Sequence, residues 1–97
     1  MRLSNLNNIN FSAKYYFTPI EVSKPVVHSE IKSDLKYEET KYRYPTGDVI
    51  LHKRYLNRNL TTFLKYRADG RHEAYQCSGE QQDIPKVLIP YINIDED

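Results

Sequence analysis

The sequence predicts a β-rich α+β fold: a four-stranded antiparallel meander, at most one short helix and an extended C-terminal strand. Three observations carry it. Residues 36–77 alternate apolar and polar side chains in short runs, the period-2 signature of half-buried strands. Turn chemistry separates those runs at Pro45-Thr46-Gly47-Asp48, Leu56-Asn57-Arg58-Asn59 and Asp69-Gly70, where glycine, proline and Asx residues favour chain reversal. The aromatic content is nine Tyr and three Phe with no Trp, which suits a small sheet whose rings are buried while their hydroxyls stay wet. A chain of 97 residues holds one small domain, 1–97, with a modest core.

Taken in order, residues 1–13 are polar and Asn-rich and read as a loose arm. Lys14 to Val22 reads as a strand, placed at an edge by Pro19. Pro25 to Ser29 is a connector. Ser29 caps a predicted short helix over Glu30–Leu35, with Ile31 and Leu35 four apart on one side. Four β runs follow at 36–44, 49–55, 60–67 and 72–77. A polar loop from Gly79 leads to Ile84–Ile94, the most apolar stretch. Its two prolines make it an edge strand or an extended cover over the core. Asp95-Glu96-Asp97 reads as a mobile acidic tail. No internal repeat is evident.

Parity sets the expected register. A two-residue loop at Asp69-Gly70 places Ala68 opposite Arg71. A four-residue loop at 45–48 places Tyr44 opposite Val49, and one at 56–59 places Tyr55 opposite Leu60. Together these put Tyr42, Tyr44, Val49, Leu51, Tyr55, Leu60, Leu64, Tyr66, Tyr75 and Cys77 on one core-facing side. A slip of one residue inverts such a set. The middle loop is the assumption on which the two hairpins' relative orientation turns.

Charge is sorted along the chain. Residues 41–72 carry eight bases against two acids, residues 73–97 one base against six acids, and the total is only +1. With the expected register the bases share the side opposite the core. Lys41, Arg43, His52, Arg54, Phe63, Lys65, Arg67 and His72 then form a cationic docking face. Clustered cations create a local field that the total conceals, and arginine's planar fork suits carboxylate and phosphate equally. The expected partner is an acidic protein surface or a ribonucleoprotein, with nucleic acid as the alternative. Rings that fall on the core side make the face a poor base-stacking platform. Small, motif-free proteins built around one charged face are often inhibitors encoded by phages or other mobile elements, and that is the associated functional expectation.

Catalysis has a weaker footing. Metal-free ribonucleases arrange His, Arg, Lys and Glu on a sheet face, and His52, Arg54, Lys65, Arg67, His72 and Glu39 could supply those roles. No catalytic motif supports them, so a non-enzyme is expected. The single cysteine, Cys77, excludes an internal disulfide and a cysteine-rich zinc site. The three histidines are widely spaced and lack a convergent ligand set, so no metal or cofactor is expected. No run approaches a membrane span or a signal peptide, and the expectation is a cytoplasmic protein with no membrane partner.

Overall fold

The computed structural model describes residues 12–95. Eight strands form two antiparallel sheets in place of a lone four-stranded meander: β1 (Ser12–Tyr16), β2 (Glu21–Val22), β3 (Val26–Glu30), β4 (Leu35–Arg43), β5 (Val49–Tyr55), β6 (Leu60–Tyr66), β7 (His72–Ser78) and β8 (Tyr91–Asp95). The four expected β runs are all present as β4–β7. They lie inside a six-stranded sheet ordered β2-β4-β5-β6-β7, with β3 also on β4. β1 and β8 make a separate two-stranded sheet, with Ser12 opposite Asp95. Residues 1–11 of the expected arm and 96–97 of the expected tail lie outside the described residues, whereas Asp95 closes β8.

No α-helix forms among the described residues; one 3₁₀ turn spans Lys86–Leu88. The expected helix over Glu30–Leu35 is instead a hairpin. Glu30 pairs with Leu35, and the turn between them closes through Asp34 at φ 55°, a left-handed conformation that Asp tolerates better than most residues. Ile31, expected on a buried helical side, is 98% exposed at the turn. The Asn57 side chain donates to the Asp34 carbonyl and accepts from the Lys36 amide at 3.3 Å, which pins this turn to the β5–β6 loop. The expected Lys14–Val22 strand is two strands separated around Pro19. β2 and β3 line one edge of β4 in succession, interrupted where Ser23 and Pro25 intervene. Ser23 both donates its amide to the Lys41 carbonyl at 2.9 Å and accepts the Lys41 amide at 2.9 Å. A proline at an edge costs no ladder bond.

The β5–β6 register is the expected one: Tyr55 faces Leu60 and Leu51 faces Leu64. Both outer registers are shifted by one. Arg43 pairs with Val49, and the Tyr44 amide donates to the Asp48 carbonyl at 3.0 Å across the three-residue loop 45–47. Gly47 sits at φ 94° and donates to the Tyr44 carbonyl at 3.0 Å. Tyr66 pairs with His72, and Gly70 at φ 93° donates to the Arg67 carbonyl at 3.0 Å. Each loop is thus a tight turn ending in a left-handed glycine, the three-residue alternative to a two- or four-residue reversal. The chain uses the same device twice, a local repetition the sequence alone did not disclose. The two turns also touch, for the Ala68 amide donates to Asp48 Oδ1 at 2.8 Å.

Two one-residue shifts turn β4 and β7 over relative to β5 and β6. Tyr42 and Tyr44 therefore join Ile50, and Tyr75 and Cys77 join Phe63 and Thr61. This second side is the covered one. Tyr44, Ile50, Phe63 and Leu88 are the buried core, with Phe17, Tyr42, Ile84 and Ile89 packed against it. The 84–90 stretch acts as an extended cover, as expected, but over the side that parity had assigned to solvent. The molecule is elongated, 64 × 25 × 22 Å, with a radius of gyration of 18.0 Å against roughly 12–13 Å for a compact chain of this length.

Candidate functional site

The eight residues expected to form one cationic face are divided between the two sides of the sheet. His52, Arg54, Phe63 and Lys65 occupy the covered side, with Arg67 just beyond β6 at the same margin. Lys41, Arg43 and His72 occupy the other. Phe63 is fully buried, and His52 and Lys65 are only 6% and 4% exposed. The geometric premise of a single basic face is thereby overturned.

The field of the central bases is also quenched locally. Acids on neighbouring strands meet them: Arg43 meets Glu21 at 2.6 Å, Lys53 meets Glu39 at 3.9 Å, and Arg67 meets Glu73 at 2.6 Å. Arg54 lies between Glu38 at 3.4 Å and Glu80 at 3.6 Å. Arg71 and Asp69 pair at 2.8 Å on the surface, and the Arg71 hydrogen bonds hold the Asp69 carboxyl below its ordinary range.

On the covered side, the His52 ring stacks on Phe63 with centroids 4.6 Å apart. Burial is the main reason that its pKa falls, opposed by a bond to the Gln81 backbone, with Arg54 lowering it further and Glu38 raising it. Burial, helped by Asp83, raises the Tyr42 pKa, and burial raises that of Tyr44. Thr61 is fully buried but satisfied; its hydroxyl donates to the Gly79 carbonyl at 2.7 Å and accepts from the Gln81 amide at 3.1 Å. Glu38, Thr40, Tyr42, His52 and Arg54 line a cavity of about 130 Å³. His52 Nε2 and Arg54 Nε are buried there without a protein partner. The cavity can accept a small polar guest. It does not assemble the constellation that the alternative ribonuclease reading requires, because Glu39 and His72 are on the opposite side of the sheet from His52.

The opposite side has a different character. Along β5 and β6 every fully buried residue belongs to the covered side, while Val49, Leu51, Lys53, Tyr55, Leu60, Thr62 and Leu64 are only half-buried and Tyr66 is 46% exposed. An aromatic ladder crosses this open side: His28 stacks on Tyr37 at 5.0 Å, and Tyr37 meets Tyr55 at 5.2 Å. The Lys53 ammonium lies 5.1 Å from the Tyr37 ring centre. Leu51 and Leu64 sit side by side at the middle, flanked by Val49–Tyr66 on one side and Lys53–Thr62 on the other, with Tyr55–Leu60 beyond the latter. The result is an aliphatic and tyrosine-rich side whose charges, Lys53 on β5 apart, lie toward β2–β4. These are the residues sequence reasoning placed in the core. Their periodicity was the correct signal for a shared side, though it could not tell which side the rest of the chain would cover.

Among the described residues no group of three or more His, Cys, Asp or Glu side chains could hold a metal ion, and no helix is long and apolar enough to cross a membrane. The fold and the open side together define a class: an antiparallel β protein with one uncovered aromatic and aliphatic sheet face. No family model matches the chain, and no curated protein or solved structure matches it either.

Proposed function

We propose that this protein acts by binding another polypeptide through the open face of its large sheet, not by catalysis. The observation that carries this reading is the apolar patch of Val49, Leu51, Leu64 and Tyr66 on β5 and β6, half-buried with Tyr66 exposed, over which no other described strand packs. Contiguous exposed apolar surface on a small protein marks an interaction site, and tyrosine is a favoured anchor because it buries a large ring at low entropic cost.

The electrostatics select among partners. The cations that would have drawn an acidic surface are matched by carboxylates on the same face: Arg43 by Glu21, and Lys53 by Glu39. Phosphate binding gains its affinity from neutralising charge that counter-ions otherwise screen, and a face of zero net formal charge offers little of that gain. The aromatic ladder gives the nucleic acid alternative its one structural argument, since rings and cations now share a side. The balance of charge weighs against it. A protein surface with its own apolar patch fits better.

The test is site-specific photocross-linking in the source cells with p-benzoylphenylalanine in place of Leu64. Covalent adducts to polypeptide that survive nuclease treatment are the expected result. Adducts to nucleic acid alone, or no polypeptide adduct from Leu64 while the same probe at the exposed Ile92 reacts, would overturn the reading.

A further inference from the structure

We infer that the occupant of the open face is a second copy of this chain, packed face to face as a two-fold β-sandwich. The inference rests on the reading of that face as a protein-docking surface, and it names the partner.

Area is the first argument. Strands lie about 4.8 Å apart and rise about 3.3 Å per residue, so β4–β7 present a plane of about 450 Å², before side-chain relief adds to it. Stable interfaces take about 600–1,000 Å² of accessible surface from each partner. With side-chain relief the face approaches the lower end of that range, and one flat object of its own dimensions would cover it. A twisted sheet packs most readily on another of the same twist, at about −30°, and an identical sheet supplies that twist without adjustment. The fold also lacks what the sandwich would provide: four residues make up the buried apolar cluster, all on one side.

Charge is the second argument, and it fixes the axis. On the open face Glu21, Glu30 and Glu39 balance Lys41, Arg43 and Lys53, so two copies approach without net repulsion. Those charges lie on β2–β5, whereas β7 contributes His72, Ala74, Gln76 and Ser78, none of them acidic or permanently cationic. A two-fold axis running along the strands between β5 and β6 lays the β4 of one copy over the β7 of the other. Row by row, Glu39 then meets Gln76, Lys41 meets Ala74 and Tyr37 meets Ser78, while Leu51 and Leu64 of both copies close the centre. An axis across the strands would instead set β4 on β4 and β7 on β7, stacking the charged strands of the two copies on each other. The first arrangement closes the Leu51–Leu64 row at the centre, sets Lys53 over the Thr62 hydroxyl beside it and leaves the charges of β2–β4 at the rim, the anatomy of a protein interface with the self-complementarity that a two-fold contact requires.

The test begins with sedimentation equilibrium of the purified chain. The expected result is a concentration-dependent rise from the monomer mass of 11.5 kDa to twice that value, with at least a tenfold weaker association in Leu64→Asp. A second measurement, independent of that variant's stability, uses Glu39→Cys with Gln76→Cys in a Cys77→Ser background. Oxidation should trap a disulfide-linked dimer, and Lys41→Cys with Gln82→Cys in the same background should not. A monomer at all concentrations, or a dimer that persists in folded Leu64→Asp and is not trapped through residues 39 and 76, would overturn the inference. The two readings fail separately: nuclease-resistant adducts at Leu64 to a different polypeptide, with a monomeric purified chain, would sink the self-association and leave the docking face standing.

Discussion

The two sides of the β4–β7 sheet are built from the same four strands, yet only one of them became a core. The covered side holds Ile50 and Phe63, fully buried beneath Leu88, Ile84, Ile89 and Phe17. The open side holds Leu51 and Leu64, one residue along from each, and no described residue shields them fully. Hydrophobicity does not separate the two sets. The covered side even carries the more polar neighbours, His52, Thr61 and Lys65. The difference lies in where the 84–90 segment falls, so burial here is decided by chain connectivity and long-range packing as much as by composition.

The sharpest way to break the comparison is a paired truncation. Phe63→Ala empties the centre of the covered side and should cost about 3–5 kcal/mol, enough to unfold a domain of ordinary marginal stability. Leu64→Ala should cost about 1–2 kcal/mol when both are measured by urea denaturation at low micromolar protein. Equal losses would mean that the two sides are energetically equivalent and that the described asymmetry is wrong.

A second test uses the turns that set the registers. A Cβ at Gly47 would meet Ala68 Cβ at 3.0 Å, and at Gly70 it would meet nothing within 4 Å, while both residues sit at positive φ. Gly47→Ala should therefore destabilise by about 2 kcal/mol or more, and Gly70→Ala by about 1 kcal/mol from backbone strain alone. Thermal melts of the two variants would reveal the order, and a reversed order would contradict the contact between the turns.

The smallest effect is a pH dependence. Burial lowers the pKa of His52 from its ordinary 6.5, so the unfolded chain binds more protons than the folded one as pH falls through that value. Stability is full above the unfolded pKa and is lost progressively toward the lower folded value. The melting temperature should decline from pH 7 toward pH 5, and His52→Phe, which keeps the stack on Phe63, should flatten that slope. An unchanged slope in His52→Phe would assign the acid sensitivity to other groups.

Much of the fold was legible because β5 and β6 declare themselves twice, through alternation and through a polar four-residue break. Their pairing, Tyr55 with Leu60 and Leu51 with Leu64, follows from that pattern. The outer registers were not legible, because Pro45-Thr46-Gly47-Asp48 and Ala68-Asp69-Gly70 can each close as loops of different length. The choice of a left-handed Gly47 and Gly70 involves contact between the two turns that neither segment contains alone. The hairpin at residues 31–34 was hidden for a related reason: the four-residue spacing of Ile31 and Leu35 suits a helix, but Asn57 from another loop holds the turn. The candidate surface was half legible. Periodicity grouped Val49, Leu51, Tyr55, Leu60 and Leu64 correctly, while their exposure depends on which side residues 84–90 approach.

The pairing of Ser12 with Asp95 has a mechanical meaning. The two described ends leave the body as neighbours on antiparallel strands, so tension applied to both would peel the β1–β8 ladder one hydrogen bond at a time instead of shearing it all at once. Thr46 and Asp48 line one cleft with Tyr91, Ile92 and Asn93, which places that zipper beside the Gly47 turn. Pulling on Ser12 and Asp95 would part the ladder from their end toward Tyr16–Tyr91, so this cleft would open only as the last rungs of the smaller sheet let go.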